Sequence, residues 1–360
     1  MDPIPIMIKK NFKSAVYKTS LVEEVHYKYD TWCGFSVKVY KDRPVIEIDW
    51  VVGPIPTDDD IGKDVFIRYS TDLSNDGVFF TDSNGRQTVK RIRNDRPMYE
   101  AVNPGIPGNF YPVTSKIYIE DVNKNIRFSV FNDRAQGGTS LNDGQVDLMV
   151  HRRILTDDDG IQTFLNETEY GKGIVVRGKH YLYISKADYK PNKIFEKKLA
   201  KEIELAPQVF ASKDDAYENF KKVWRGHVNE YTGINAKLPL GIHVLTLEGW
   251  NDNRLLVRLE NYLEKADVVK TGVKTVFFKD LFNKITIIDA RETTLAANIW
   301  LKDWAPLQWN GKTRFLKSFN EFYRGNGSVV YSDDHVKGYE EVVIEKGIQL
   351  SPQQIRTFVV

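Results

Sequence analysis

Apolar and polar residues alternate with a period of two along much of the chain. Phe35, Val37 and Val39, for example, are separated by polar residues. Side chains at positions i and i+2 of a strand point to one face of a sheet, so this pattern predicts half-buried antiparallel strands. The main predicted strands lie at residues 35–39, 45–51, 117–119, 126–131 and 146–150, and then at 242–247, 254–259, 273–278, 285–288, 342–344 and 355–360.

Short turn motifs separate these segments and favour a sandwich of sheets over strands that alternate with helices. The motifs are Gly53-Pro54, Asn75-Asp76-Gly77, Ser83-Asn84-Gly85 and Asn142-Asp143-Gly144. Helical periodicity is confined to residues 194–203 and 213–224. We therefore predict an all-β protein with one or two short helices.

A polar stretch from Gly226 to Leu240 interrupts the strand pattern and indicates a domain boundary. A length of 360 residues agrees with about two domains. We predict a larger β-domain at residues 1–235 and a smaller β-sandwich at residues 236–360.

Composition excludes several classes of partner. Lys and Arg number 51 and Asp and Glu 49, and a net charge of +2 gives no drive toward nucleic acid or anionic lipid. No apolar run approaches the ~18 residues of a membrane span.

The first ten residues, with Asp2 and two prolines, do not match a signal peptide. The single cysteine, Cys33, cannot form an intrachain disulfide, and we expect a buried, inert thiol.

No metal or catalytic constellation follows from residue spacing. None of the six histidines has another histidine two to four positions away, so we predict no metal site within this chain. The triplets Asp58-Asp59-Asp60 and Asp157-Asp158-Asp159 lack the alternation of calcium ligands and are expected in solvated turns. Nucleophile elbows and phosphate loops are absent, and no carboxylate pair can be chosen from spacing.

Two stretches leave alternatives open. Gly137-Gly138 lies in the run from Asp133 to Ser140, and His151-Arg152-Arg153 ends the following strand. Glycines that let the backbone come close and arginines near strand ends could present polar groups to a sugar. A tight turn and an ion pair that hold a domain interface would use the same residues. Asn166 and Asn326 head N-x-Thr and N-x-Ser sequences and are glycosylation candidates on the secretory route.

A series of longer motifs follows a known order. They occupy residues 32–33, 52–56, 80–86, 108–113, 133–138, 148–153, 205–209, 257–260, 292–298 and 355–358. In this order they resemble the C-terminal β-rich part of glycoside hydrolase family 38, the α-mannosidases, in its lysosomal branch. The resemblance spans nearly the whole chain.

The resemblance implies a large mutarotase-like β-supersandwich at residues 1–235 and a C-terminal β-sandwich at residues 236–360. In the family, zinc, the aspartate nucleophile and the acid/base lie in a separate catalytic domain. We therefore expect no catalytic residue and no bound cofactor in this chain. The expected partners are that catalytic domain, in the same precursor or as a separate chain, and mannose-containing glycans. The expected location is the lysosome, with the missing signal peptide read as a missing N-terminal half.

The resemblance also implies a substrate contact at Arg152. In the family, the strand matching residues 150–153 reaches the edge of the active site, where the backbone carbonyl at the position of Arg152 can accept a hydrogen bond from mannose. His151, which stands where the Golgi branch often has aspartate, is the neighbouring candidate. The leading hypothesis is the C-terminal portion of a zinc-dependent, retaining α-mannosidase, inactive alone. The alternatives are an inactive mannose- or glycan-binding β-sandwich protein and a structural assembly module.

Overall fold

The computed structural model describes residues 6–8, 13–95, 105–156, 164–211, 230–235, 237–251, 253–268, 271–279, 281–304, 342 and 346–360. The chain divides into two compact units, Met1–Ala211 and Ser212–Val360. Both are built from antiparallel sheets, and one α-helix occurs in the described part of the chain, which confirms the predicted fold class. No helix among the described residues is long and apolar enough to cross a membrane.

The first unit contains most of the strands. Their bounds are β1 Lys13–Lys18, β2 Val22–Lys28, β3 Cys33–Tyr40, β4 Ile46–Val52, β5 Lys63–Ser70, β6 Val78–Ser83, β7 Gln87–Ile92, β8 Tyr111–Val113, β9 Lys116–Asp121, β10 Ile126–Asn132, β11 Gln136–Thr139, β12 Gln145–Arg153, β13 Thr168–Glu169, β14 Lys172–Gly173 and β15 Val176–Lys186. A nine-stranded sheet, here sheet A, has the order β1-β2-β3-β4-β15-β10-β9-β6-β7. A four-stranded sheet, here sheet B, has the order β5-β12-β11-β8.

The two sheets pack face to face, as the alternating pattern predicts. Phe79, Ile117 and Val130 of sheet A share a core with Val146 and Leu148 of sheet B, and all five are fully buried. Burying one such side chain stabilises the fold by about 1.5–3 kcal/mol. A second cluster brings β4 against the end of β12 through Trp50, Val52, Ile55 and Val150.

Helix α1, Lys190–Glu204, covers the opposite face of sheet A. It contains the helix predicted at residues 194–203, and Pro191 in its first turn suits the start of a helix, where a proline costs no hydrogen bond. Leu199 packs on Phe131, Tyr183 and Val45. The helix predicted at residues 213–224 lies outside the described residues.

A buried ionic cluster fastens this helix to the sheet. The Glu196 carboxylate, fully buried, accepts hydrogen bonds from Lys116 Nζ at 2.8 Å, Arg127 Nη1 at 2.9 Å and Ser129 Oγ at 2.8 Å. Burial alone would raise the pKa of Glu196, but the two cations hold it below its ordinary value. The helix therefore carries a charge to a site that supplies its counter-charges.

The second unit is a smaller pair of sheets. Its strands are β16 Ile242–Trp250, β17 Arg254–Asn261, β18 Lys274–Val276, β19 Arg291–Thr293, β20 Ile348–Leu350 and β21 Ile355–Val359. The order β16-β17-β21-β19 forms one sheet and β18-β20 the other. Val257, Leu259 and Phe358 of the larger sheet meet Val276 and Leu350 of the smaller one in a common core.

Two details of the second unit differ from the sequence pattern. Residues 285–288 form no strand, because no strand among the described residues pairs with them; Ile287 is buried in the core and Ile288 is exposed. Ile234 forms a β-bridge with Phe282 and packs against the second core, so the contacts of this unit begin before residue 236. Of the strand predicted at residues 342–344, residues 343 and 344 lie outside the described residues.

Candidate functional site at the end of strand β12

The end of β12 carries the residues that the sequence singles out, and a β-bulge sets their direction. β12 pairs with β5 throughout, but the register shifts between Met149 and His151. The extra residue, Val150, is buried against Trp50. Because a bulge re-aims the side chains that follow it, the bulge decides where His151, Arg152 and Arg153 point.

Arg152 is fixed by an ion pair. Its Nε lies 2.7 Å from Asp64 Oδ1 on the paired strand β5, and 46% of the Arg152 side chain is exposed. An ion pair with this exposure contributes about 0–1 kcal/mol to the stability of the fold. Its main effect is therefore to orient the Arg152 side chain. The guanidinium is engaged with a carboxylate, and the role expected for the main-chain carbonyl stays a prediction.

His151 and Arg153 tie β12 to two neighbouring segments. His151 Nε2 lies 3.1 Å from the carbonyl oxygen of Ile174, which only accepts, so Nε2 carries the proton and donates. Arg153 donates from Nη1 to the carbonyl of Ile55 at 2.7 Å and from Nε to Asn166 Oδ1 at 2.7 Å. The strand end is therefore held on both sides by directed hydrogen bonds.

The two glycosylation candidates have different outcomes. Asn166 is exposed, and its side-chain oxygen accepts the hydrogen bond from Arg153. Asn326 lies outside the described residues. Modification of either residue stays a prediction.

A buried histidine network supports the strand just before the bulge, and sequence reasoning missed it. His180 of β15 accepts from Tyr69 Oη at Nδ1, 2.8 Å, and donates from Nε2 to Gln136 Oε1, 2.9 Å. Gln136 in turn donates from Nε2 to the carbonyl of Met149 at 3.1 Å. Residues of four strands meet here, and only β11 and β12 are neighbours in the sequence. The one usable signal in the sequence was that His180 falls on the buried face of its strand.

Burial keeps this histidine neutral. It lowers the pKa of His180 to about 3, with Asp133 raising it and Arg134 lowering it to a smaller extent. The neutral ring can both donate and accept, which is what a chain from Tyr69 to Gln136 requires.

Structural roles account for several other residues that the sequence singled out. A Cβ at Gly138 would lie 2.6 Å from Val113 Cγ2, so this glycine permits close packing between strands. Asp133 and Arg134 form an ion pair at 3.0 Å. Burial raises the pKa of the Cys33 thiol to about 11, which keeps it neutral, although Cys33 is only half-buried. Asp59 accepts from Lys63 Nζ at 2.6 Å in an exposed turn, and residues 157–159 are not described.

The described residues do not fit a zinc ion. Zinc sites in proteins use three or four His, Cys or acidic ligands. No group of three such residues comes together in the part of the chain that the structure describes.

Comparison with known proteins defines the class. Residues 4–160, which include all of β12, match the C-terminal domain of glycosyl hydrolases family 38. A family 38 protein from Enterococcus faecalis of known structure has the same fold, with a TM-score of 0.53 at 11% identity, over 97% of this chain and 36% of that chain. Residues 4–160 are thus a family 38 C-terminal domain.

The relatives with high sequence identity are α-mannosidases. The chain is 39% identical to lysosomal alpha-mannosidase of Bos taurus over 316 residues, 86% of this chain and 31% of that protein. It is 32% identical to alpha-mannosidase of Canavalia ensiformis over 371 residues, 99% of this chain and 35% of that protein. The chain spans about a third of the length of these curated relatives, and it is homologous to lysosomal α-mannosidases.

Proposed function

We propose that this chain is the β-rich C-terminal portion of a lysosomal-type α-mannosidase. It would act with a zinc-bearing catalytic domain, in the same precursor or as a separate chain, in the retaining hydrolysis of terminal α-D-mannose residues of glycoproteins. The observation that carries the proposal is the 39% identity with the bovine lysosomal enzyme over 86% of this chain. A lysosomal location rests on the same relatives.

The end of β12 is the part of this chain that the proposal places beside the substrate. Asp64, the Ile174 carbonyl and the Ile55 carbonyl hold Arg152, His151 and Arg153. A main chain held in this way is pre-organised, so its Arg152 carbonyl can accept a mannose hydroxyl without first being ordered. This chain would contribute position, and the bond-breaking groups would come from the catalytic domain.

Reconstitution tests the proposal. The 360-residue chain is assayed with a chromogenic α-mannoside and added zinc, alone and after mixing with a separately produced catalytic portion of the bovine relative. We expect no turnover by the chain alone, and association with turnover in the mixture. Turnover by the chain alone, or no association, would contradict the proposal.

A variant locates the effect at β12. Arg153→Ala removes two anchors of the strand end, and we expect kcat/KM of the mixture to fall about tenfold because the reacting groups lose alignment. Arg43→Ala is the matched control, since Arg43 is 44% exposed and pairs with Glu202 at 3.7 Å on the surface. Equal kcat/KM for Arg153→Ala and Arg43→Ala would show that the end of β12 does not contribute to the active site of the mixture.

A second candidate function is binding of mannose-containing glycans without catalysis. The observation that favours it is a cavity of about 910 Å³ on sheet A with aromatic walls. An inactive mixture in the reconstitution assay, with saturable glycan binding by the chain, would favour this function.

A further inference from the structure

The cavity on sheet A is built by a row of residues that lie opposite one another on successive strands. Ser14, Tyr27, Phe35, Trp50 and Gly178 are register partners across β1, β2, β3, β4 and β15, and all five line the cavity. Directly opposite residues of neighbouring strands point to the same face of a sheet. The row therefore forms one continuous wall with three aromatic rings in its centre.

The rings in this wall contact one another and are backed by the sheet. The Tyr27 and Phe35 ring centroids are 5.1 Å apart, and both residues are half-buried. The Trp50 indole lies on Gly178, where a Cβ would come within 2.2 Å of the ring. Only glycine leaves room for the indole at this position, so the place of Trp50 in the wall depends on it.

Polar groups stand at the side of this wall. Arg134 donates from Nε and Nη2 to the two carboxylate oxygens of Asp133 at 3.0 Å each, and its guanidinium lies 5.6 Å from the centre of the Trp50 ring. Both residues line the cavity, and 46% of the Arg134 side chain is exposed. The pair offers donors and acceptors whose charges offset each other.

Trp50 lies at the closed side of this wall. The residue is 2% exposed, and its indole N–H is buried without a hydrogen-bond partner. Because this nitrogen is closed to solvent, a ligand in the cavity does not reach it, and the half-buried rings of Tyr27 and Phe35 are the contact surface of the wall.

Trp32 lines the same cavity. We propose that this aromatic cleft, formed by Tyr27, Trp32, Phe35, Trp50, Asp133 and Arg134, is a binding site for a mannose-containing oligosaccharide. A sugar ring has an apolar face of C–H groups, which an aromatic surface covers, and hydroxyls that both donate and accept, which an Asp–Arg pair satisfies. A volume of about 910 Å³ lies within the range of ligand pockets. The choice of mannose rests on the proposed function, whereas the sugar class rests on the cleft.

Calorimetric titration of the full chain with α-linked mannotriose tests this site, with maltotriose as the comparison sugar. We expect saturable binding of mannotriose that Tyr27→Ala weakens about tenfold, because the variant removes one ring of the wall. Arg134→Gln is expected to weaken binding about threefold to tenfold by removing the charged donors.

Matched variants separate binding from folding. Phe66 is a half-exposed aromatic residue that contacts Phe110, away from the cavity, and Arg43 has nearly the exposure of Arg134. Phe66→Ala and Arg43→Gln are expected to bind as the parent chain does, with circular dichroism confirming that every variant is folded.

Four outcomes would overturn the proposal. Three are no saturable binding of mannotriose, equal losses in the control variants, and binding of maltotriose in place of mannotriose. A fourth is association with the catalytic portion that depends on Tyr27 while mannotriose does not bind, which would assign the cleft to protein docking. Because the titration needs no catalytic domain, its failure is distinct from failure of the reconstitution assay.

Discussion

The ionic cluster beneath helix α1 and the histidine network between sheets A and B place polar groups in equally dry surroundings with opposite results. Glu196 and His180 are both fully buried. Glu196 meets two cations and a hydroxyl, and its pKa falls because the charged form is favoured. His180 meets a tyrosine hydroxyl and an amide oxygen, and its pKa falls because the charged form is disfavoured.

The difference teaches that burial alone does not decide charge. A buried ion is retained where counter-charges compensate the lost hydration, and a buried group stays neutral where only dipoles surround it. In this protein the charged cluster around Glu196 fastens helix α1 to sheet A. The neutral network around His180 joins sheets A and B beside β12, the strand that leads to His151.

The largest effect is expected from removing the charge at the centre of the ionic cluster. Glu196→Gln leaves Lys116 buried without its counter-charge, and breaking a buried pair from one side costs about 3–5 kcal/mol. Urea unfolding followed by circular dichroism measures this loss. Glu202→Gln, on the same helix but 49% exposed, should change stability by less than about 0.5 kcal/mol. Similar values for both variants would mean that burial does not separate the two carboxylates.

The pH dependence of stability sharpens the comparison. The pKa of His180 is about 3 in the folded chain and about 6.5 in the unfolded chain, so between these values the unfolded chain binds one proton more. Stability therefore falls by about 1.4 kcal/mol per pH unit on this account as the pH drops from 6.5. Urea unfolding between pH 7 and 4.5 measures the slope.

A variant that lacks only His180 isolates this contribution. His180→Gln should lose that part of the slope, whereas His26→Gln, whose ring is half-exposed beside Glu24, should keep it. If the stability of the parent chain and of His180→Gln fell in parallel between pH 7 and 4.5, the His180 ring would take up its proton equally in the folded and unfolded chains, which would contradict this prediction.

The smallest of the three effects concerns a single neutral hydrogen bond. Tyr69→Phe leaves His180 Nδ1 buried without its donor, at a cost of about 1–3 kcal/mol. Tyr170→Phe, at a position that is 95% exposed, provides the control and should be nearly neutral. A cost for Tyr69→Phe as large as that for Glu196→Gln would remove the distinction between the charged and neutral networks.

The strands that could be predicted from the sequence are those whose alternation of apolar and polar residues reflects burial of one face. Strands such as β3, β4, β10, β12, β17 and β21 were predicted because one face of each strand meets a core and alternation records this locally. Residues 285–288 show the same alternation but form no strand, because strand formation also needs a partner with matching register.

The candidate site was predictable only in part. The sequence identified His151, Arg152 and Arg153, but the bulge at Val150 and the anchors at Ile55 and Ile174 belong to pairings that composition does not record. The aromatic cleft was equally hidden, since Tyr27, Phe35 and Trp50 become one wall only through the register of three strands.

The sequence by itself determined the all-β class, helix α1 and the relationship to family 38, since periodicity and ordered motifs are properties of neighbouring residues. Only the tertiary structure decided which polar groups are charged, which arginine anchors β12 and which rings share a cavity. These properties depend on distance and on exclusion of water, and both are set by residues that lie far apart along the chain.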